Sequence, residues 1–485
     1  MHLPPRYEMG SRIKYRSTDL TTLIRRLLLI VGVLLLMAAF NVAYVVWLVP
    51  VYGYLGFRYP NTIGVLPAFG YCLGVLPAIW MPLALVRPSQ FLHWIIYITV
   101  FLPSMLVLSF LHLQPDSAVG RLQMVLLCGL MIIGASYQFT RIRFPRISVS
   151  PTTFWALLGM TTVGLLARVI AVYWGQFHFV TWEKAYEIRY SGSDLAVTAG
   201  LKYPIYWLSI VFVPILMSLA LLQKRLFLFI GATACSVLLF MTQGMKHILF
   251  SSVYIATIYL LMRRRSDVFG LRLVWAVALF LVCFCCYVVS FDAARSAPAM
   301  LLGANIVLRI FGNNGLLMGL YHNFFVTHQL THYSSVTGVN WFIRYPYEHP
   351  LGIEISLASV GNTSLNNQNA GFWATDGLAA MGLPGIVVIS ILIALVFYAL
   401  DCACSTHRAT VPALFLSQYA LILTNVSFFT SLVTGGLVIF FAIFYLMPRI
   451  SLKEAKSCQR LRGGRGFFTK KGQSKKRSTI GYGLP

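Results

Sequence analysis

The chain reads as a succession of long apolar runs separated by short polar clusters, most of them basic. A stretch of about 20 mostly apolar residues suffices to cross a bilayer as a helix. On that measure spans are expected near 27–49, 63–86, 91–113, 121–139, 152–174, 204–222, 226–243, 247–262, 273–290, 379–400, 411–428 and 430–447. The eighth is short, and the seventh and eighth read as one tight hairpin that turns near Gln243 and Gly244. The expected fold class is therefore all-α, a polytopic membrane protein of about 12 transmembrane helices.

Two segments between spans stand out by length, 175–203 and 291–378, and both are expected on the outer face. Long loops of this kind are commonly functional. Residues 298–328 are apolar with glycine breaks, which predicts a helix lying in or dipping into the interface. Trp341, Tyr345 and Tyr347 suit an interfacial aromatic belt. The organisation that follows is a basic cytoplasmic N-terminus (1–26), a transmembrane domain (27–448) holding both loops, and a basic tail (449–485). The tail, rich in Lys, Arg and Gly, is expected to be disordered and drawn to anionic lipid. No internal repeat is evident, which disfavours carriers built from repeated halves.

Composition agrees with lipid as the solvent. Of 485 residues, 58% are hydrophobic and only 11% charged, against roughly 25% charged in soluble domains. Mean hydropathy is +0.76. The net charge of +25 would suit a nucleic-acid binder, but its placement argues against one. With the N-terminus inside, 28 of the 38 Lys and Arg residues fall in cytoplasmic segments, as the positive-inside rule requires. The first apolar run is too long for a cleaved signal peptide and reads as an anchor. None of the nine cysteines falls in a segment expected outside, so no disulfide framework is implied. Cys283, Cys285 and Cys286 read as small hydrophobes on one helix.

Candidate chemistry concentrates at the outer face. Arg168, in the outer half of the fifth span, is either a snorkelling side chain or an anion contact. Trp182–Tyr190 brings Glu183, Glu187 and Arg189 close together, as a solvated helical face or as a sugar- and phosphate-facing platform. Lys246 follows Gly244 in a short turn that suits an anion. Arg295 either pairs with Asp292 or faces a ligand; Arg309 lies in an apolar stretch, and Arg344 between aromatics. His322 is a candidate general base. His328 and His332 have the spacing of a metal pair on a helix but no evident third ligand, so the site is expected to be metal-free. Asn369, Trp373 and Asp376 lie in a run of amides, aromatics and one acid that suits sugar recognition or a polar turn. There is no Walker loop, no Gly-x-Gly-x-x-Gly and no His-Glu-x-x-His, so no cofactor is expected.

Four features together resemble the bacterial oligosaccharide repeat-unit polymerases, the O-antigen and capsule polymerase family. Ala185-Tyr-Glu-Ile-Arg-Tyr190 is similar to the family's Tyr-x-x-Arg patch, and Arg189 precedes Gly200 by a similar spacing. Thr242-Gln-Gly-Met-Lys-His247 resembles a glycine-then-cation turn between spans. A long late outer loop carries arginines. Asn369-Ala-Gly-Phe-Trp-Ala-Thr-Asp-Gly377, followed by Met381-Gly-Leu-Pro-Gly385, resembles the run that leads into the closing helices. The resemblance covers roughly 165–445; it departs at Arg309, which precedes Gly319 by ten residues and does not repeat the spacing. It implies a GT-C-like architecture in the bacterial inner membrane with both termini cytoplasmic. It also implies undecaprenyl-diphosphate-linked glycans as substrates, with membrane lipids, a chain-length regulator and a flippase as partners. Arg189, Lys246 and Arg309 would contact the diphosphate, and Glu187 or His322 would be the base. An O-antigen ligase and a lipid-linked-sugar transporter are the alternative readings.

Overall fold

The computed structural model describes residues 20–59, 64–111, 118–142, 144–145, 147, 149–177, 195–263, 265–290, 297–336, 338–361, 368–369 and 371–448. Among these every regular element is helical, and ten helices are long and apolar enough to cross a membrane. In chain order they begin α1 (Leu20–Leu55), a shorter α2 (Val65–Ile79), α3 (Pro88–Phe110), α4 (Ala118–Ala135), α5 (Pro151–Val172), α6 (Lys202–Gln223) and α7 (Leu226–Gln243). The short α8 (Lys246–Leu249) and α9 (Ser251–Arg263) follow, then α10 (Ser266–Tyr287) and α11 (Met300–Thr327). The short α12 (Leu351–Val360) and α13 (Ala374–Met381) precede α14 (Leu383–Ala403). The short α15 (Thr410–Phe415) and α16 (Ser417–Leu423) lead to α17 (Phe428–Leu446). The protein is an all-α, multi-pass membrane protein.

Local chemistry accounts for several helix ends and irregularities. Ser150 caps α5 by accepting the Thr153 N–H, with Pro151 in the first turn where it sacrifices no helical bond. Lys224 ends α6 and Gly244 ends α7 in left-handed conformations. Four of the described helices widen into a π-turn, α11 at Leu308–Gly312 and three others at Tyr44–Leu48, Tyr97–Phe101 and Leu208–Phe212. Each of those three contains the residue four before a proline (Pro50, Pro103 or Pro214), where the ring displaces a carbonyl from the helical ladder.

Nine of the ten long helices fall on expected spans, and three other expectations are corrected. The span expected at 63–86 is helical only as far as Ile79, because Pro82 and Pro88 interrupt the ladder. Its irregular remainder has several of its backbone groups paired with other parts of the chain. Arg26 donates to the Ala78 and Met81 carbonyls, Trp94 Nε1 to Pro82 at 2.9 Å, and the Gly270 N–H to Leu83 at 3.0 Å. The Leu85 N–H donates to Ser266 at 2.8 Å. The span expected at 247–262 breaks at Phe250 into α8 and α9, and the one expected at 411–428 breaks at Leu416 into α15 and α16.

Contacts define two ends of the bundle. One gathers Arg25 against Asp267, Arg26 against Ala78, and Arg87 against the Phe139 carbonyl and Asp401. At this arginine-rich end the buried Asp401 carboxylate accepts the Ser89 N–H at 3.0 Å and the Ser89 hydroxyl at 2.6 Å, fastening the start of α3 to the end of α14. The helices α1 and α10 run parallel away from it. Trp275 Nε1 donates to Leu28, and Cys285 lies against Ala39, ten and eleven residues further along the two helices.

The tenth long helix, α11, lies where a loop was expected. Both of its flanks meet the end remote from the arginines. Gly303 packs on Trp47, near the far end of α1, and Thr331, just past α11, bonds Ala379 beside the start of α14. The expectation of a helix associated with one face over 298–328 therefore describes it better than a loop does. Beyond it, Trp341 and Phe342 are exposed, whereas Tyr345 and Tyr347 fold back to bond His349 and Gln329. The basic tail at 449–485 lies outside the described residues.

Candidate functional site at the end remote from the arginines

The helix α13 doubles back against the start of α14. Gly377 faces Gly385 so closely that a Cβ on Gly385 would lie 2.0 Å from the Gly377 carbonyl oxygen. Gly382 (φ +67°) makes the turn. Seven residues into α14, Ser390 accepts the Trp373 indole N–H at 2.6 Å. At 1.5 Å rise per residue, that places Trp373 roughly 10 Å along α14 from its start. The segment 371–381 is therefore a re-entrant half-helix, tolerable at this depth because protein encloses it. Its entry backbone is paired by side chains. Thr375 Oγ1 donates to Gly371 at 2.8 Å, and Tyr321 OH donates to Gln368 at 3.1 Å. Trp373 holds a positive φ of 71°, a conformation costly for a bulky residue and sustained here by its complete burial.

Asp376 is buried on this half-helix, outside the ten long helices. Its carboxylate accepts the Phe428 N–H at 2.7 Å and a bond from Ser427, joining α13 to the start of α17. Burial pushes its carboxyl up to about 7, against those two bonds, which hold it down. Tyr321 and Tyr333 lie within its electrostatic reach. Three polar atoms on α11 and the segment just past it are buried without a hydrogen-bond partner: Asn314 Oδ1, His322 Nδ1 and Tyr333 OH. Leaving such groups unpaired is costly and marks a place where a ligand group gains most by binding. His322 is 6% exposed, bonds Asn323, and has Arg121 within electrostatic range.

The expected site residues divide into groups. Asp376 and Trp373 lie together on the half-helix, and His322 lies on α11 one residue past Tyr321, whose hydroxyl bonds the Gln368 carbonyl. Trp373, expected to offer a face to a sugar ring, is fully buried against Ser390 and Gly129, so no face is left for one. Asn369 is exposed at the entry to the half-helix. Arg168 is exposed and donates to the Ala199 carbonyl at 3.1 Å, which is the snorkelling geometry. Lys246 opens α8, half-buried, in a second neighbourhood: Gln243 bonds Tyr173 at 3.2 Å, and Gln418 bonds the His247 carbonyl at 3.3 Å. Arg309 lies in the α11 π-turn and Arg344 beyond α11, both exposed. Glu187, Arg189 and Arg295 lie outside the described residues. His328 ends α11 in an extended conformation, stacked on Phe324, and His332 sits in a left-handed turn, so the pair does not share a helix face.

Arg121, Asn314, Tyr321, Tyr333 and Ser427 belong to the site but drew no attention in the sequence. Asn314 and Tyr321, seven apart on α11, share a helix face, a usable signal once that stretch is read as a helix. Comparison with protein-family models, curated proteins and solved structures found no match.

Proposed function

We propose that this chain is a metal-independent membrane glycosyltransferase that polymerises lipid-linked oligosaccharide repeat units, with undecaprenyl diphosphate as the leaving group. In this reading it sits in a bacterial inner membrane with its arginine-rich end and both termini cytoplasmic, and it works at the outer end. The observation that carries the reading is the pairing of a buried base with a nearby cation. His322 holds an unengaged, buried Nδ1 on α11, and Arg121 lies within electrostatic range of it. Glycosyl transfer needs both. The acceptor hydroxyl oxygen attacks the anomeric carbon, its proton passes to the base, and the carbon–oxygen bond to the diphosphate breaks. A cation positioned where charge develops on the departing diphosphate lowers the barrier. Arg121 is the proposed first contact to that charge, with Arg189, Lys246 and Arg309 as further contacts. Asp376, whose carboxyl is pushed up to about 7, is proposed to order the half-helix and the tyrosines around the acceptor.

The test is a gel of surface polysaccharide from cells lacking the gene, complemented with the wild-type chain, His322→Asn or Arg121→Gln. The expected result is a ladder collapsed to one repeat unit in the deletion and in both variants, with each variant present in the membrane at wild-type level. Loss of every capped lipopolysaccharide species, single units included, would instead identify a ligase. An unchanged ladder in the deletion would refute glycosyl transfer by this chain.

A further inference from the structure

At the arginine-rich end, well away from the site above, a groove of about 330 Å³ runs between the last turns of α14 and α17. Its lining is apolar: Ala399, Ala403, Phe144, Phe441, Ala442 and Tyr445. The arrangement is regular. Ala399 and Ala403 stand one turn apart on α14, and Phe441 and Tyr445 stand one turn apart on α17, so a small-residue floor faces an aromatic wall. The groove is held open by polar fastenings outside it. Tyr445 OH donates to the Pro145 carbonyl at 2.7 Å, and Tyr398 OH donates to Thr140 at 2.8 Å, which ties Thr140 and Pro145 to the ends of the two helices. Phe144 and Ala442 are exposed on its open side.

The surroundings of its mouth are cationic. Arg141 lies three residues before Phe144, and Arg408 lies five residues past Ala403, exposed. Of the two described acids at this end, Asp267 faces Arg25, and Asp401 faces Arg87 and also lies within electrostatic reach of Arg141, so the single Asp401 carboxylate is shared between two arginines and Arg408 adds to the excess of positive charge. In a membrane-spanning bundle an apolar groove on an outer helix pair opens toward acyl chains. A positive rim at its end favours a negative headgroup.

We infer that this groove is a binding site for an anionic phospholipid, one acyl chain lying over Ala399 and Ala403 and the phosphate held by Arg141. Its chemistry is apolar contact along the chain and charge at the headgroup, and it is independent of the glycosyltransferase reading. The site would tie α14, α17, Arg141 and Phe144 together at the end of the bundle opposite the re-entrant half-helix.

The experiment is native mass spectrometry of the full chain extracted from vesicles holding equal amounts of phosphatidylglycerol and phosphatidylcholine. The wild type is expected to retain phosphatidylglycerol several-fold over phosphatidylcholine. Arg141→Gln is expected to bring that ratio close to one, and Ala442→Phe, which fills the groove from its exposed side, to remove the retained lipid of both kinds. Ala442→Leu serves in the same way should the larger ring disturb folding. A wild-type ratio of one, or retention unchanged by filling the groove, would overturn the proposal. So would a groove-filling variant that turned a dimer into a monomer without altering lipid retention, because the occupant would then be a second copy.

Discussion

The close approach of Gly377 and Gly385 makes a demanding test, because the same chemical change, glycine to alanine, is expected to act in opposite directions at two places. At Gly385 the added Cβ would lie 2.0 Å from the Gly377 carbonyl oxygen, where ordinary contact begins near 3.4 Å. Both neighbours are backbone, so neither can swing aside, and α13 must lift from α14 by more than an ångström. Overpacking of this kind costs about 1–3 kcal/mol. The displacement also strains the Trp373–Ser390 and Asp376–Phe428 bonds, and leaving a buried polar group unpaired adds about 1–3 kcal/mol each. Gly385→Ala is therefore expected to destabilise by roughly 2–6 kcal/mol if one bond is lost. At Gly159, on α5, an added Cβ meets nothing within 4 Å. Alanine there gains helix propensity, worth up to about 1 kcal/mol. The assay is denaturant unfolding of both purified variants in the same micelles, followed by tryptophan fluorescence, which also reports on Trp373. A midpoint for Gly385→Ala equal to or above that of Gly159→Ala would refute the packing of the half-helix on α14.

Other fastenings can be tested in the same way. Asp401→Ala leaves the Ser89 N–H and hydroxyl without their acceptor and Arg87 without its counter-charge; by the measure of broken buried pairs it should cost about 3–5 kcal/mol, with Asp401→Asn closer to wild type, as read from unfolding midpoints. Arg26→Ala frees the Ala78 and Met81 carbonyls and is expected to increase proteolysis within 80–87, whereas Arg26→Lys, which keeps a donor but not the planar fork, should recover part of the protection. Asp376→Leu removes the acceptor for Phe428 and Ser427 and should lower stability by about 1–3 kcal/mol, while Asp376→Asn, which keeps an acceptor oxygen, should lose less than half as much. Equal midpoints for the Leu and Asn variants would show that the carboxylate does not bridge α13 and α17.

Hydropathy along the chain was enough to establish a multi-pass helical membrane protein and to locate nine of its ten long helices, because moving about 20 apolar residues from water to lipid is a property of the segment alone. The clustering of arginines was legible too, and Arg25, Arg26, Arg87 and the segment around Asp267 do meet at one end of the bundle. His322 and Asp376 could be picked out as residue types able to carry a proton, yet nothing in the spacing revealed that Asp376 would sit on a half-helix folded against α14 and bonded to the start of α17. Arg168 and Trp373 were equally conspicuous, and one snorkels to Ala199 while the other is sealed against Ser390.

What only the tertiary structure decided is where backbone may depart from a continuous helix inside the bundle. Val65–Ile79 can stop short because Arg26, Trp94, Ser266 and Gly270 pair the backbone that follows it. The half-helix 374–381 can enter because Tyr321, Thr375 and a glycine pair accommodate its backbone, and α11 can lie with both flanks at one end because Trp47 and Ala379 are there to receive them. In lipid every backbone donor and acceptor needs a partner, and a partner distant in sequence is invisible to a local measure of apolarity. The membrane class is therefore determined by the sequence read segment by segment, and the site by which segments supply one another's missing hydrogen bonds.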